Sequence, residues 1–344
     1  MSGTSLDGLD LALCEFETIN NKYVYSLIKA QTIHYSDIWK QRLSDVKTAT
    51  AQQYFKLNSL YGEFIAEQIN LFLKDNKLTI NAIASHGHTV FHQPQLGFST
   101  QIGCGATIAA KTSISTVCDF RSLDVALGGQ GAPLVPIGDE LLFADYEACL
   151  NLGGIANISF KNNKGQRVAH DICETNMLLN YLAQKMGYAY DENGDLARAG
   201  KIDMHLLMQL NNLPFYQQIG AKSLGREWFE NTILPFFDEN KNDVKKLLAT
   251  SVEHIAQIIA NNLNENNIKN VLLTGGGAFN NHLIQTLTQK TNCKLMMPNT
   301  QTINFKEALI FAFLGYLRLQ QKTNTLSLVT GARNNSIGGA VYLI

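Results

Sequence analysis

The spacing of apolar residues switches repeatedly, from one end of the chain to the other, between the two-residue period of a strand and the three-to-four-residue period of a helix. Such alternation points to α/β architecture. Residues 9–17 and 23–35 read as two strands joined through Asn20-Asn21, a hairpin tip. Thr50-Ala-Gln-Gln53 has the form of a capping box, and Tyr54, Leu57, Tyr61, Phe64, Ile65, Ile69 and Phe72 follow at helical spacing, so a helix with one buried face is predicted. Ile83-Ala84 reads as a short strand, 103–111 as a helix and 114–118 as a buried strand. A glycine-rich loop occupies 124–133. After it come a second hairpin over 147–160, a strand over 168–172, and helices near 176–187, 201–211, 226–237 and 243–263. A strand at 270–274, the turn Gly275-Gly-Gly277 and a helix from Phe279 form a strand–glycine–helix unit. A last helix is predicted at about 305–320, and 340–344 as a returning strand. With 344 residues and 45% hydrophobic content, two domains are expected, 1–140 with 325–344 returning to it, and 141–324.

Net charge is −1, and charged residues make up 17% of the chain, so no electrostatic footprint for nucleic acid or an anionic membrane is present. Small neutral or anionic ligands are the expected partners. The apolar run 308–317 contains Gly315 and is too short to span a bilayer, and the first residues lack the basic and apolar regions of a leader, so a cytoplasmic location is expected. The six cysteines include no CxxC pair and read as reduced core thiols.

Three glycine turns stand at ends of predicted strands: Gly3 to Gly8, Leu152 to Asn157, and Thr274 to Asn280. Glycine lets backbone N–H groups approach a ligand, and a helix start after Gly277 adds its dipole. In the first turn Thr4 and Ser5 add hydroxyls, while Asp7 and Asp10 would repel a bare anion, which Mg²⁺ between carboxylate and phosphate would resolve. Taken alone, that turn reads equally as a polar hairpin. The three together suggest a nucleotide gripped in a cleft between two lobes. Neither GxxxxGK[ST] nor a GxGxxG following a strand is present, which disfavours P-loop and dinucleotide readings.

The motifs Met1-Ser-Gly-Thr-Ser-Leu-Asp-Gly8, Ser85-His-Gly-His-Thr-Val-Phe-His92, Asp119-Phe-Arg121, Gly128-Gly-Gln-Gly-Ala-Pro133, Asn151-Leu-Gly-Gly-Ile-Ala-Asn157, Lys222-Ser-Leu-Gly-Arg-Glu227, Thr274-Gly-Gly-Gly-Ala-Phe-Asn280 and Glu307-Ala308 occur in sequence. Their order and spacing resemble the anhydro-N-acetylmuramic acid kinase family over essentially the whole chain. The resemblance implies two ribonuclease-H-like lobes of the actin/hexokinase/Hsp70 superfamily, each with a mixed five-stranded sheet, using ATP and Mg²⁺. It implies phosphorylation of the anhydro amino sugar with hydrolytic opening of its bridge. By the same resemblance, Gly3, Thr4, Ser5, Leu6, Asp7, Gly8, Leu9 and Asp10 form the first phosphate turn. Gly153, Gly154 and Asn157 form the second, and Gly275, Gly276, Gly277 and Asn280 the adenosine-side turn. His86, Gly87, Arg121, Gly129 and Gln130 line the sugar site, Asp171 is the base, and Asp7 with Glu307 serve the metal. A homodimer is left open.

Each assignment has a plainer reading: Asp171 as a helix cap near Asn176, Arg121 as an ion-pair partner of Asp119 or Asp124, Glu307 as a first-turn carboxylate of the last helix. Three imidazoles at 86, 88 and 92 read as part of the sugar-side loop rather than a metal site. The chain also departs from the family pattern. Asp171 is followed by Ile-Cys-Glu-Thr-Asn176 where the family has Thr-Gly-Pro-Gly-Asn, so Glu174 is expected to place charge near the base and Cys173 to line the cleft. His88 and Cys104 replace the family's commoner Gln and Asp. Family members carry a short strand before Met1-Ser-Gly-Thr, so strand edges next to the first turn are expected to be left unpaired unless another segment fills the gap. A non-catalytic nucleotide-binding relative, or a kinase for another amino sugar, are the alternative readings.

Overall fold

The computed structural model describes every residue except 4, 5, 219, 221 and 239–242. The chain is mixed α/β, as expected, and divides into two compact units, Met1–Leu142 with Phe305–Ile344, and Phe143–Asn304.

In the first unit, β1 (Gly8–Ile19) and β2 (Lys22–His34) form a long antiparallel hairpin. Its tip places Asn20 and Asn21 at φ 50° and 61°, the left-handed pair that a tight two-residue turn demands and asparagine tolerates. The helix Ala51–Leu73 begins with the predicted capping box, Thr50 and Gln53 bonding each other reciprocally. Its Tyr61, Ile65, Ile69 and Phe72 pack with Leu9, Leu11, Val90, Ile102 and Ile108. Two short strands, β3 (Ile83–Ala84) and β6 (Thr116–Cys118), run parallel, with the C-terminal strand Ala340–Tyr342 antiparallel on the far side of β6; β4 (His88–Gln93) and β5 (Phe98–Ile102) form a further hairpin between them in sequence. The expected five-stranded sheet is therefore not formed here among the described residues, because β1 and β3 have no ladder joining them.

The last long helix starts at Thr300, earlier than predicted, because Asn299 caps it by accepting from the Thr302 N–H at 2.8 Å. Glu307 consequently lies within this helix rather than opening it. Residues from Phe305 count with the first unit, where Phe313 and Tyr316 pack their rings on Phe16 and Tyr23.

The second unit holds one five-stranded sheet. β7 (Ala148–Leu152), β8 (Ile155–Lys161) and β9 (Arg167–Glu174) make an antiparallel meander, β10 (Asn270–Thr274) pairs parallel with β7, and β11 (Lys294–Met296) parallel with β10. Counted from its own first strand the order is 3-2-1-4-5, the ribonuclease-H-like arrangement. Leu247, Leu248, Val252, Ile255, Ile259 and Leu263 of the helix Val244–Glu265 bury one stripe against the sheet residues Leu150, Ile158, Ile172 and Leu273.

Candidate active site

In the second unit, parallel pairing of β7 and β10 sets Thr274 beside Asn151, so the turns that leave these strands lie together. A Cβ on Gly275, whose φ is 82°, would meet the Asn151 Oδ1 and the Leu152 carbonyl oxygen at 2.7 Å, and one on Gly277 would meet Leu152 Cβ at 2.8 Å. Glycine is thus required at both positions by the neighbouring turn. The Gly153 and Gly154 carbonyls accept from the N–H groups of Asn176 and Met177, tying the hairpin bend to the start of the helix Asn176–Gln184. The Asn176 amide also donates to the Leu152 carbonyl at 3.1 Å and lies within 3.6 Å of where a Gly276 Cβ would be. Asn176 is therefore the side chain at the junction of both turns, a residue that sequence reasoning mentioned only as a helix start. Asn280 caps the helix Asn281–Thr288 through its Oδ1.

Asp171 lies within β9 and is no helix cap; Thr175 holds that position. It stands opposite the exposed Asn157 in the ladder with β8. Its Oδ2 accepts from the Leu224 N–H at 2.8 Å and the Ser223 hydroxyl at 3.2 Å, and its own N–H donates to the Lys222 carbonyl. Burial pushes the carboxyl above the usual aspartate range, against those two hydrogen bonds. The Lys222-Ser-Leu224 segment therefore orients the carboxylate, a role its sequence alone did not disclose.

The departure after Asp171 has a different consequence from the one expected. Glu174 is 1% exposed and turned inward, where Oε2 accepts from the Tyr216 hydroxyl at 2.7 Å and Oε1 lies 3.4 Å from His254 Nε2. It does not figure in the shift of Asp171. Cys173 is fully buried in the core with Ala156, Ile172 and Leu178 rather than lining a site.

In the first unit, Thr4 and Ser5 lie outside the described residues. Leu6 takes the left-handed conformation (φ 60°), whereas Gly8 is needed because a Cβ there would meet the Ile33 carbonyl oxygen at 2.6 Å. Leu9 buries its side chain in the core, which leaves only its backbone for a ligand. Asp10 accepts from the Thr32 hydroxyl at 2.6 Å. Arg121 reaches neither Asp119 nor Asp124: Nε donates to His86 Nε2 at 3.1 Å, and Nη1 to the Gly131 carbonyl at 2.6 Å. Asp119 is engaged by Ser122, and the fully buried Asp124 by Thr330 and the Gly131 N–H. The Gly131 and Thr330 bonds fold the 128–131 loop, with Gly129 buried and Gln130 exposed on it. Burial and the adjacent guanidinium drive the His86 pKa far down. His86 is thus neutral, with Nδ1 donating to the Gly87 carbonyl and Nε2 free to accept from Arg121. His88 and His92 turn to Ser2 and Ser99 instead.

Glu307 is reached by solvent yet surrounded closely enough by protein to raise its carboxyl above the usual range, with Asp10 adding to that rise and Arg121 opposing it. Asp10, Glu307, Arg121 and His86 thus share one electrostatic environment. The exposed Asp7 offers its backbone carbonyl to His34. Among the described residues no group of three or more His, Cys, Asp or Glu could hold a metal alone. Mg²⁺ commonly takes only one or two carboxylates, completing its shell with phosphates and water, and Asp10 with Glu307 fits that donor set.

A family model described as anhydro-N-acetylmuramic acid kinase matches residues 1–344. Proteins named anhydro-N-acetylmuramic acid kinase from Pasteurella multocida (37% identical, covering 99% of this chain and 95% of that one), Legionella pneumophila strain Paris (34%, covering 100% and 97%) and Sulfurimonas denitrificans (32%, covering 99% and 98%) are similar over their full lengths.

Proposed function

The chain belongs to the anhydro-N-acetylmuramic acid kinase family, and from that premise we propose how its residues carry the reaction. It is a phosphotransferase acting on anhydro-N-acetylmuramic acid. In the proposed step, water attacks the anomeric carbon as the bond to the bridging oxygen breaks. That oxygen keeps the electron pair and bonds the γ-phosphorus of ATP, ADP leaves, and the water proton passes to Asp171. The product is N-acetylmuramic acid 6-phosphate.

The observation that carries the assignment of Asp171 is its geometry: a half-buried carboxylate in mid-strand, held through Oδ2 by two donors, with its pKa raised toward the working range. The backbones of Gly3, Leu6, Gly8 and Leu9, together with Gly153, Gly154 and Asn157, would receive phosphates; Gly275, Gly276, Gly277 and Asn280 would receive adenosine. His86, Gly87, Arg121, Gly129 and Gln130 would hold the sugar, the guanidinium matching its lactyl carboxylate. Asp7 and Glu307, with Asp10, whose charge is felt at Glu307, would hold Mg²⁺, which neutralises phosphate charge when bound. A reaction that draws on ATP would run in the cytoplasm.

The test is ADP release with ATP, Mg²⁺ and a set of amino sugars, with the product weighed by mass spectrometry. Release dependent on the anhydro sugar, with a product heavier by one phosphoryl group and one water, is expected. Turnover only on another amino sugar, or nucleotide binding without turnover, would overturn the reading.

A further inference from the structure

Where β9 runs beside β8 the ladder slips by one residue. Asn157 faces Asp171 and Ala156 faces Cys173, so Ile172 is the extra residue of a bulge. Successive side chains leave a strand on opposite faces, and one extra residue reverses that order beyond it. Asp171 and Glu174, three apart in sequence, are therefore turned toward the same neighbour. β9 is an edge of its sheet, and one stretch of chain is fastened to it twice. The Tyr216 hydroxyl donates to Glu174 Oε2 at 2.7 Å. Further along, the Lys222 carbonyl accepts from the Asp171 N–H, and the Ser223 hydroxyl and Leu224 N–H donate to Asp171 Oδ2. Residues 217–221 separate the two fastenings in sequence, and a bond from Lys222 Nζ to the Phe215 carbonyl at 3.2 Å ties them to each other.

The Glu174 end is set in the core. Glu174 and His254 are 1% and 0% exposed, whereas Ser223 lies at the surface. A tyrosine hydroxyl has one proton, and with that given to Glu174 its oxygen is left to accept from His254 Nε2 at 3.2 Å. His254 Nε2 is also 3.4 Å from Glu174 Oε1, and its Nδ1 is 2.6 Å from Asn211 Oδ1. The rings of Trp228 and His254 pack edge-on against Tyr216, with centroids 6.1 and 5.1 Å away. A buried carboxylate holds its donors strongly, since losing one strands the charge.

We propose that Glu174, Tyr216 and His254 are positioning residues, a buried anchor that keeps Ser223 and Leu224 within bonding distance of Asp171. The bearing of this anchor on turnover rests on Asp171 being the base proposed above. Cys173 and Lys222 lie beside the anchor as well, while the shift at Asp171 comes from burial and its two donors. The anchor thus acts through the stretch it holds and not through its charge. The two routes have opposite signs. Loosening the stretch removes donors that favour the Asp171 carboxylate and raises its pKa, whereas loss of the Glu174 charge alone would lower it.

The test follows the Asp171 carboxyl by ¹³C NMR, identified by its absence in Asp171→Asn, alongside the pH profile of kcat/KM. Tyr216→Phe keeps the ring contacts and the Glu174 carboxyl but loses the bond. It is expected to move the Asp171 titration and the acidic limb together to higher pH by about half a unit or more, about a threefold loss of kcat/KM on the limb, with KM for ATP unchanged. Glu174→Ala is expected to move both in the same direction. Glu174→Gln, whose amide oxygen still accepts from Tyr216, is expected to leave them where the parent has them. The double variant Glu174→Gln/Tyr216→Phe buries no charge, decides the question where a single variant does not fold, and is expected to move both upward. A titration unmoved in folded Tyr216→Phe or in the double variant, or lowered in Glu174→Ala, would overturn the anchor. A raised titration with an unmoved limb supports the anchor and counts instead against Asp171 as the base.

Discussion

At Asp171 burial and hydrogen bonding act on the carboxyl in opposite directions, and burial prevails. The carboxylate is the form that accepts a proton, so activity falls as pH drops through a folded-state pKa above the ordinary value of 3.8. Ser223→Ala removes a bond that favours the carboxylate, raises that pKa further, and is expected to move the acidic limb of kcat/KM to higher pH. An unmoved limb in the pH–rate profile would assign it to another group. Arg121→Lys keeps the charge but loses the fork that engages His86 and the Gly131 carbonyl, so KM for the sugar is expected to rise about tenfold with KM for ATP unchanged; a rise in both would place Arg121 elsewhere in the reaction. Asp171 and Arg121 were named as candidates through the family resemblance, each beside a plainer reading as helix cap or ion-pair partner, and it is the fold that removes those plainer readings. The inward turn of Glu174 was not legible, since its partners Tyr216 and His254 come from distant segments.

Among the elements, the turns are fixed by constraints on single residues. Gly275 holds φ 82° and ψ 162°, a region essentially confined to glycine, and a Cβ there would press on the neighbouring turn. Gly275→Ala is expected to lose about 1–3 kcal/mol of stability and to raise KM for ATP; a normal KM in the folded variant would detach this turn from the nucleotide. Thr50→Ala removes half of a capping box far from these turns, with an expected loss of about 1 kcal/mol in denaturant unfolding and no change in kcat. The box and the Asn20-Asn21 tip were readable because their signals are local and complete within four residues. The helix start at Thr300 was missed because Asn299 caps a run whose first turn, Thr300-Gln-Thr302, carries no apolar period. Residues Phe229–Ile233, read as ordinary helix, form a π turn, for which spacing gives no warning.

At the scale of the molecule, the second unit's five strands follow from hairpin, meander and a parallel return, and they form the mixed five-stranded sheet expected of that lobe. The first unit's strands are legible one by one, yet their pairing depends on which edges find partners, and that is a property of the whole unit. The central claim is that Asp171 takes the water proton in a sugar site and nucleotide site that bind independently of it. Asp171→Asn keeps the side chain's size and one hydrogen-bond acceptor, so it isolates the chemistry from the fold. Measured together, kcat and the Kd values for ATP and the anhydro sugar test the claim directly: kcat is predicted to fall by about 10²–10⁴ with both Kd values unchanged, and a variant turning over within a few-fold of the parent would contradict it.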